Sequence, residues 1–119
     1  MDSKKEQLRV DTLVPFVTND LSRMIGKKMN WRISRAAPVI SEIEGTSKDF
    51  KSFPHHFRVS LVAQVTQVNV EVKENVSGSN WSRSFSFNQK PFANSTELQS
   101  LAKKISERIE VEISSHIRR

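Results

Sequence analysis

The stretch that decides the fold is residues 57–87, which read FRVSLVAQVTQVNVEVKENVSGSNWSRSFSF. Within it, apolar side chains fall on every second position and polar side chains lie between them. A period of two with one apolar and one polar face is typical of an antiparallel sheet covered on one side only. We therefore predict strands over 57–65, 67–75 and 81–88. The apolar positions are Phe57, Val59, Leu61, Ala63, Val65, Val68, Val70, Val72, Trp81, Phe85 and Phe87.

Two interruptions separate these strands. The apolar phase shifts by one residue at Thr66-Gln67, which predicts a bulge, a sharp bend or a tight turn. The segment Ser77-Gly78-Ser79-Asn80 has the composition of a hairpin turn. The strand 81–88 should then return antiparallel to the strand before it.

The residues before this stretch predict a helix and two more strands. Apolar residues at helical spacing indicate a helix over about 12–26, with Asp11-Thr12 as its cap, Pro15 in its first turn and Gly26 as its stop. Alternation from Met29 to Ser34 predicts one strand, and 39–44 predicts a short second one. We expect 45–56 to be a loop and the charged residues 1–10 to be frayed.

The C-terminal part reads as one amphipathic helix, from Asn94 to Ile117. Asn94 is a good N-cap, and Glu97 stands three residues later, as a capping box requires. A hydrophobic content of 36% is low for a monomer of this size, which favours burial of some apolar surface by self-association. We predict a homodimer with its interface on the apolar stripe of this helix. The interface residues are Leu101, Ile105, Ile109 and Ile113.

Together these elements predict one α+β domain over residues 1–119. Its antiparallel sheet should carry the long C-terminal helix and the N-terminal helix on one face, with the other face polar and open. The chain has no cysteine, which excludes disulfides and thiol chemistry. No apolar run approaches the roughly 20 residues that span a bilayer, and the N-terminus lacks the apolar core of a signal peptide. We therefore expect a soluble, non-secreted protein with no membrane partner.

The charge is basic and unevenly spread. The chain has 19 Lys and Arg against 13 Asp and Glu, a formal net charge of +6. Residues 21–58 alone contain eight cations and three carboxylates, a net of +5. Such a patch favours polyanions, of which nucleic acid is the commonest.

The polar face of the predicted sheet combines cations with small hydrogen-bonding side chains. Cations suit phosphates, whereas hydroxyls and amides can contact base edges or sugar hydroxyls. Ordinary solvation of an outer sheet face is the alternative interpretation. The predicted nucleic-acid-binding residues are Asn30, Arg32, Arg58, Ser60, Lys73, Ser82, Ser84 and Ser86.

Motifs of catalysis and metal binding are not evident in the sequence. His55 and His56 are adjacent, so on an extended chain they point apart, and His116 is distant in sequence. Ser100 and Lys103 match the letters SxxK, but they lie mid-helix beside apolar residues. The three glycines are scattered and form no phosphate loop. We expect a non-enzymatic protein with no cofactor and no metal site.

The second half of the chain resembles the coat proteins of the small single-stranded RNA bacteriophages. The similarity covers roughly 56–109 and is carried by Trp81-Ser82-Arg83-Ser84-Phe85-Ser86-Phe87, followed by Phe92-Ala93-Asn94-Ser95-Thr96-Glu97-Leu98 at the start of a helix. The resemblance implies an antiparallel sheet with C-terminal helices on one face, through which two subunits interlock. It also implies that the bare face contacts RNA inside a shell, with Arg58, Ser60, Ser84 and Ser86 among the contacts.

The resulting expectation is an RNA-binding, self-assembling structural protein, found in a virion or in the host cytoplasm. Two alternatives stay open. One is a small basic nucleic-acid-binding domain that forms no shell, similar in element order to double-stranded-RNA-binding domains, with Lys103-Lys104 near phosphates. The other is a dimeric protein-interaction module, such as a chaperone or an inhibitor.

Overall fold

The structure, a computed structural model, describes residues 8–25, 28–48, 55–89 and 94–117. It confirms the predicted α+β class, with five antiparallel strands and two helices. The helices and strands are α1 (Val10–Ile25), β1 (Met29–Arg35), β2 (Ile40–Ser47), β3 (His56–Ala63), β4 (Gln67–Glu74), β5 (Ser82–Asn88) and α2 (Ser95–Ile117).

The sheet is a meander in which every strand pairs with its neighbours in the chain, in the order β1-β2-β3-β4-β5. The phase shift at Thr66-Gln67 is a tight turn between β3 and β4, where the Gln64 amide donates to the Gln67 carbonyl. Ala63 and Val68 face each other across this hairpin, so an odd position on β3 always pairs with an even one on β4. The apolar phase must therefore change at the turn. Val65, predicted to be on the apolar face, lies in the turn and is 60% exposed.

Both helices cover the same face of the sheet. Helix α1 lies over β1, β2 and β3, and α2 lies beside it, towards β5, where Arg108 packs on the Phe85 ring. The buried core is built from α1, the apolar phases of β2–β4 and the α2 stripe. Inside it, the Ser106 hydroxyl donates to the Ala102 carbonyl at 2.7 Å, and it also lies 3.4 Å from the Val17 carbonyl of α1. The two helices therefore pack against each other in one layer over the sheet.

Residues 8–10 differ from the prediction that the first ten residues are frayed. Leu8 and Val10 are buried in the core, so residues 8–10 are not frayed; residues 1–7 lie outside the described part. Helix α1 begins at Val10, two residues early, which places Pro15 in the second turn rather than the first. The predicted stop at Gly26 also lies outside the described residues.

Strand β2 is longer than predicted, because it continues through Gly45 to Ser47. Gly45 pairs directly with Trp31 on β1, and the indole ring lies over the glycine where a side chain would otherwise stand. Gly45 therefore continues the strand and leaves space for the Trp31 ring, and it does not begin a loop. Helix α2 begins as predicted, with the Asn94 side chain accepting a hydrogen bond from the Glu97 amide at 2.9 Å. Neither described helix is long and apolar enough to cross a membrane.

Candidate nucleic-acid interface and the His55–Glu74–His116 cluster

The eight residues predicted to bind nucleic acid share the face of the sheet that the helices leave uncovered, which we call the open face. Side chains that pair directly across antiparallel strands project from the same side of the sheet. One such row crosses all five strands, and a second runs from β2 to β5. The first row is Arg32, Glu44, Arg58, Lys73 and Ser82, and the second is Glu42, Ser60, Glu71 and Ser84. Asn30 lies beyond the first row, and Ser86 beyond the second.

The cations of the open face are partly neutralised by a carboxylate that the sequence analysis did not assign to this face. Glu44 lies between two arginines, with its Oε1 2.8 Å from Nη2 of Arg32 and its Oε2 3.8 Å from Nη2 of Arg58. His56 Nε2 lies 3.5 Å from the same carboxylate. Glu42 and Glu71 stand in the neighbouring row. The alternation of residues 39–44 could have predicted that Glu42 and Glu44 lie on the open face, because Ser41 and Ile43 share the opposite, core-facing side of the strand.

Two cations of the open face remain without a carboxylate partner within the described ranges. They are Lys73, in the first row, and Arg35. After a β-bulge in β1, the backbone of Arg35 lies opposite that of Glu42 on β2, but the two side chains form no ion pair. Both side chains are exposed. Of the wider basic region 21–58, Arg23 is paired with Asp20, while Lys27 and Lys51 lie outside the described residues.

The serine row of β5 borders a shallow depression in the open face. Ser84 and Ser86 form its outer side, Ser60 and Asn69 its inner side, and Val62 contributes an apolar surface. The Ser86 hydroxyl donates to Oδ1 of Asn69 at 2.6 Å, which leaves the Asn69 amide nitrogen as a free donor. The depression therefore offers hydroxyls, an amide and the Glu71 carboxylate beside an apolar contact.

The four residues predicted as a dimer interface lie inside the subunit. Leu101 is 5% exposed and the three isoleucines are fully buried, all in the core between α2 and the sheet. Their burial is complete within one chain, so an interface made of them would have to displace this packing. Dimerisation itself stays a prediction.

A second group of polar residues lies at the end of the sheet, on the helix-covered side. Nδ1 of His55, just before β3, is 2.5 Å from Oε2 of Glu74, the last residue of β4. Nε2 of His116, near the end of α2, is 2.7 Å from Oε1 of the same carboxylate. The Ser79 hydroxyl, in the hairpin turn, donates to Oε1 at 2.9 Å. Three sequence-distant elements thus converge on one carboxylate.

The Glu74 carboxylate is held ionised although its side chain is only 8% exposed. Burial raises the pKa of Glu74, but hydrogen bonds from His116, His55 and Ser79, with the electrostatic attraction of His55, outweigh burial and lower the pKa below its ordinary value. Two aromatic rings orient the imidazoles. Trp81 stacks on His116 at 4.4 Å and Phe57 on His55 at 5.6 Å between ring centroids.

This cluster was not predicted, because His116 is distant from His55 along the chain, whereas the two rings lie 6.0 Å apart in the structure. The alternation of residues along β4 could have predicted that Glu74 lies on the covered side of the sheet. Glu74 continues the apolar series Val68, Val70, Val72, so a strand of this length had to bring a carboxylate to the covered side. A carboxylate in that position requires polar partners.

Comparison of the chain with models of known protein families, with curated proteins and with solved structures found no match. The resemblance to RNA bacteriophage coat proteins therefore stays a prediction.

Proposed function

We propose that this chain is a non-enzymatic RNA-binding protein that binds a single strand across its open face. The observation that carries the proposal is the adjacency of the cationic first row to the depression beside Ser84 and Ser86. Residues two apart on a strand are about 6.6–6.8 Å apart, so the distance between the two rows is close to the spacing of successive nucleotides.

The first row supplies the phosphate contacts. Arg32 and Lys73 are exposed and lie on β1 and β4, and Arg58 lies half-buried between them on β3. Arginine and lysine neutralise phosphates with little dependence on sequence. Because Glu44 already engages Arg32 and Arg58, we expect moderate affinity with a shallow salt dependence.

The depression supplies the contacts that distinguish RNA. Val62 offers an apolar surface for a base, and the Asn69 amide and the Ser84 hydroxyl can bond to base edges or to the 2′-hydroxyl. Serine side chains are small enough to leave room for a base against the sheet.

The test is fluorescence anisotropy with a labelled single-stranded RNA over a range of salt concentrations. Replacing Arg32 and Lys73 by Gln removes two exposed cations from the open face and should reduce the slope of log affinity against log salt by up to about 1.4, or about 0.7 for each phosphate that is no longer neutralised, with the smaller share from Arg32 because Glu44 already engages it. The matched control replaces Lys103 and Lys104 by Gln, the same charge change on exposed positions of α2. Equal effects of the two double variants, or no binding by the wild-type chain, would refute the proposal.

A second experiment isolates the depression from charge. Replacing Ser84 and Ser86 by Ala removes hydroxyls at constant charge, and should cost roughly 1–2 kcal/mol for a preferred RNA at unchanged salt slope. The same variant should bind DNA of that sequence as the wild type does. No weakening for either RNA or DNA would assign binding to charge alone, and an equal weakening for both would show that the hydroxyls do not contact the 2′-hydroxyl.

Assembly into a shell is a further part of the proposal. In the coat proteins, two subunits interlock through their helices, whereas here the apolar stripe of α2 is already buried within one chain. Assembly would therefore have to use other surfaces, such as the sheet edges at β1 and β5. Size-exclusion chromatography of freshly expressed protein tests this, because a very large particle that absorbs as nucleic acid supports a coat and a small species excludes one.

The carboxylates of the open face favour a second candidate, a surface that binds another protein. Glu42, Glu44 and Glu71 alternate with the cations, and mixed charges give specificity towards a complementary protein surface. Replacing Glu42 and Glu71 by Gln discriminates between the candidates. The change should tighten RNA binding if RNA lies on this face, and should leave it unaltered if the face serves a protein.

A further inference from the structure

We propose that His55, Glu74 and His116 bind a divalent transition-metal ion, with Zn²⁺ as the best-matched ion. Among the described residues these three form a group whose candidate ligand atoms all lie within 4.8 Å of one another. Around a tetrahedral Zn²⁺ with bonds of about 2.0–2.2 Å, ligand atoms lie roughly 3.3–3.5 Å apart. Shifts of about 1 Å in the side chains would therefore admit the ion.

The chemistry of the three ligands selects the class of metal. Imidazole nitrogens favour zinc and its late transition-metal neighbours, whereas calcium and magnesium require oxygen ligands. Two histidines and one carboxylate supply three protein ligands and leave a fourth position. The three residues themselves line an open cavity together with Ser77, Asn80 and Trp81, so water or a ligand can reach the site.

The surroundings hold the ligands in place. The main chain of His55 is fixed by Ser47, whose hydroxyl accepts from the His55 amide and donates to its carbonyl. The Trp81 ring holds the His116 imidazole by stacking at an interplanar angle of 14°, and Ser79 binds the Glu74 carboxylate. Partners of this kind orient metal ligands and raise affinity.

Charge at the site also favours a cation. Glu74 brings a carboxylate that is only 8% exposed to the site, and the guanidinium of Arg83, which lies over Trp81, is paired with Glu112 at 3.6 Å. A metal ion would replace the two imidazole contacts to Glu74 with bonds of its own. The same three residues without a metal would be a hydrogen-bonded cluster that only stabilises the end of the sheet.

Isothermal titration of the full chain, without a histidine tag, with ZnCl₂ tests the site. We expect saturation at one Zn²⁺ per chain, and a rise in melting temperature that EDTA reverses, because an ion that binds only the folded state stabilises it. A wild-type chain that takes up no Zn²⁺, or takes up several equivalents with equal weak affinity, would overturn the proposal without any variant.

Three single variants locate the site. His116→Gln and Glu74→Gln should each lower Zn²⁺ affinity by more than the roughly 10–100-fold that removal of an outer-shell partner costs. The matched control is His56→Gln, the neighbouring histidine on the open face, which should bind Zn²⁺ as the wild type does. If His56→Gln weakens binding as much as His116→Gln does, the ion is elsewhere. If a ligand variant fails to fold, Co²⁺ absorption of the wild type reports instead, with a tetrahedral spectrum expected and an octahedral one contrary to the proposal.

Discussion

The close approach of Trp31 to Gly45 predicts that Gly45→Ala destabilises the wild-type protein but stabilises a variant that lacks the Trp31 ring. A Cβ added at Gly45 would lie 2.5, 2.6 and 2.7 Å from three ring carbons of Trp31. Carbon atoms make favourable contacts only at about 3.5–4.0 Å, so the indole would have to retreat by roughly 1 Å. The backbone of Gly45 is extended and not in a left-handed conformation, so the ring is the obstacle.

The magnitude follows from two opposing effects. Overpacking of this kind costs about 1–3 kcal/mol, whereas alanine in a strand is worth about 0.5–1 kcal/mol over glycine. Gly45→Ala should therefore lower the free energy of unfolding by about 0–2.5 kcal/mol. In a Trp31→Ala background the obstacle is gone, and the same substitution should raise the free energy of unfolding by about 0.5–1 kcal/mol.

The assay is urea unfolding followed by circular dichroism on the wild type, the two single variants and the double variant. At an m value of about 1–3 kcal/mol/M, these changes displace the midpoint measurably, and the cycle gives the coupling energy directly. An equal effect of Gly45→Ala in both backgrounds would refute the reasoning, because it would mean that the ring does not occupy this space.

Three further predictions concern stability. Ile109→Ala should cost about 2–5 kcal/mol because the side chain is fully buried, and Ile109→Val only about 0.5–1.5, so equal costs would place Ile109 outside the core. Gly78→Ala should cost about 1–2 kcal/mol although space is free, because φ is 87° there; a neutral result in urea unfolding would contradict that turn conformation. Asn94→Ala should cost about 0.5–2 kcal/mol because the N-cap is removed, and Asn94→Asp should retain stability, which thermal unfolding can check.

Local patterns predicted most of the fold. The alternation from Phe57 to Phe87 identified three strands and the composition of 77–80 their turn, because side chains two apart share a face whatever their partners are. Strand β2 was predicted to end at Glu44, before a loop over 45–56, because the contact that explains Gly45 within the strand comes from the ring of Trp31, which lies on another strand.

The two candidate sites also differ in how well local sequence patterns predict them. The open face was predictable because it is a property of strand phase, and all eight residues named for it lie there. The charge balance of that face was not predictable, because Glu44 pairs with Arg32 and Arg58 only when the register of the three strands places these side chains side by side. The histidine cluster depends on pairing β3 with β4 and on the path of α2, neither of which a local pattern specifies.

The packing of α1 against α2 sets an order for folding. The hairpins join residues that are close in the chain, but the contact between Ser106 and Val17 joins residues 89 positions apart. Packing of such long range forms late, because closing a long loop costs entropy before its two ends can stabilise each other. During synthesis, the sheet can pair while its apolar face still lacks α2. We therefore expect the nascent chain to present a hydrophobic surface until Ile113 has left the ribosome, and to depend on chaperones in that interval.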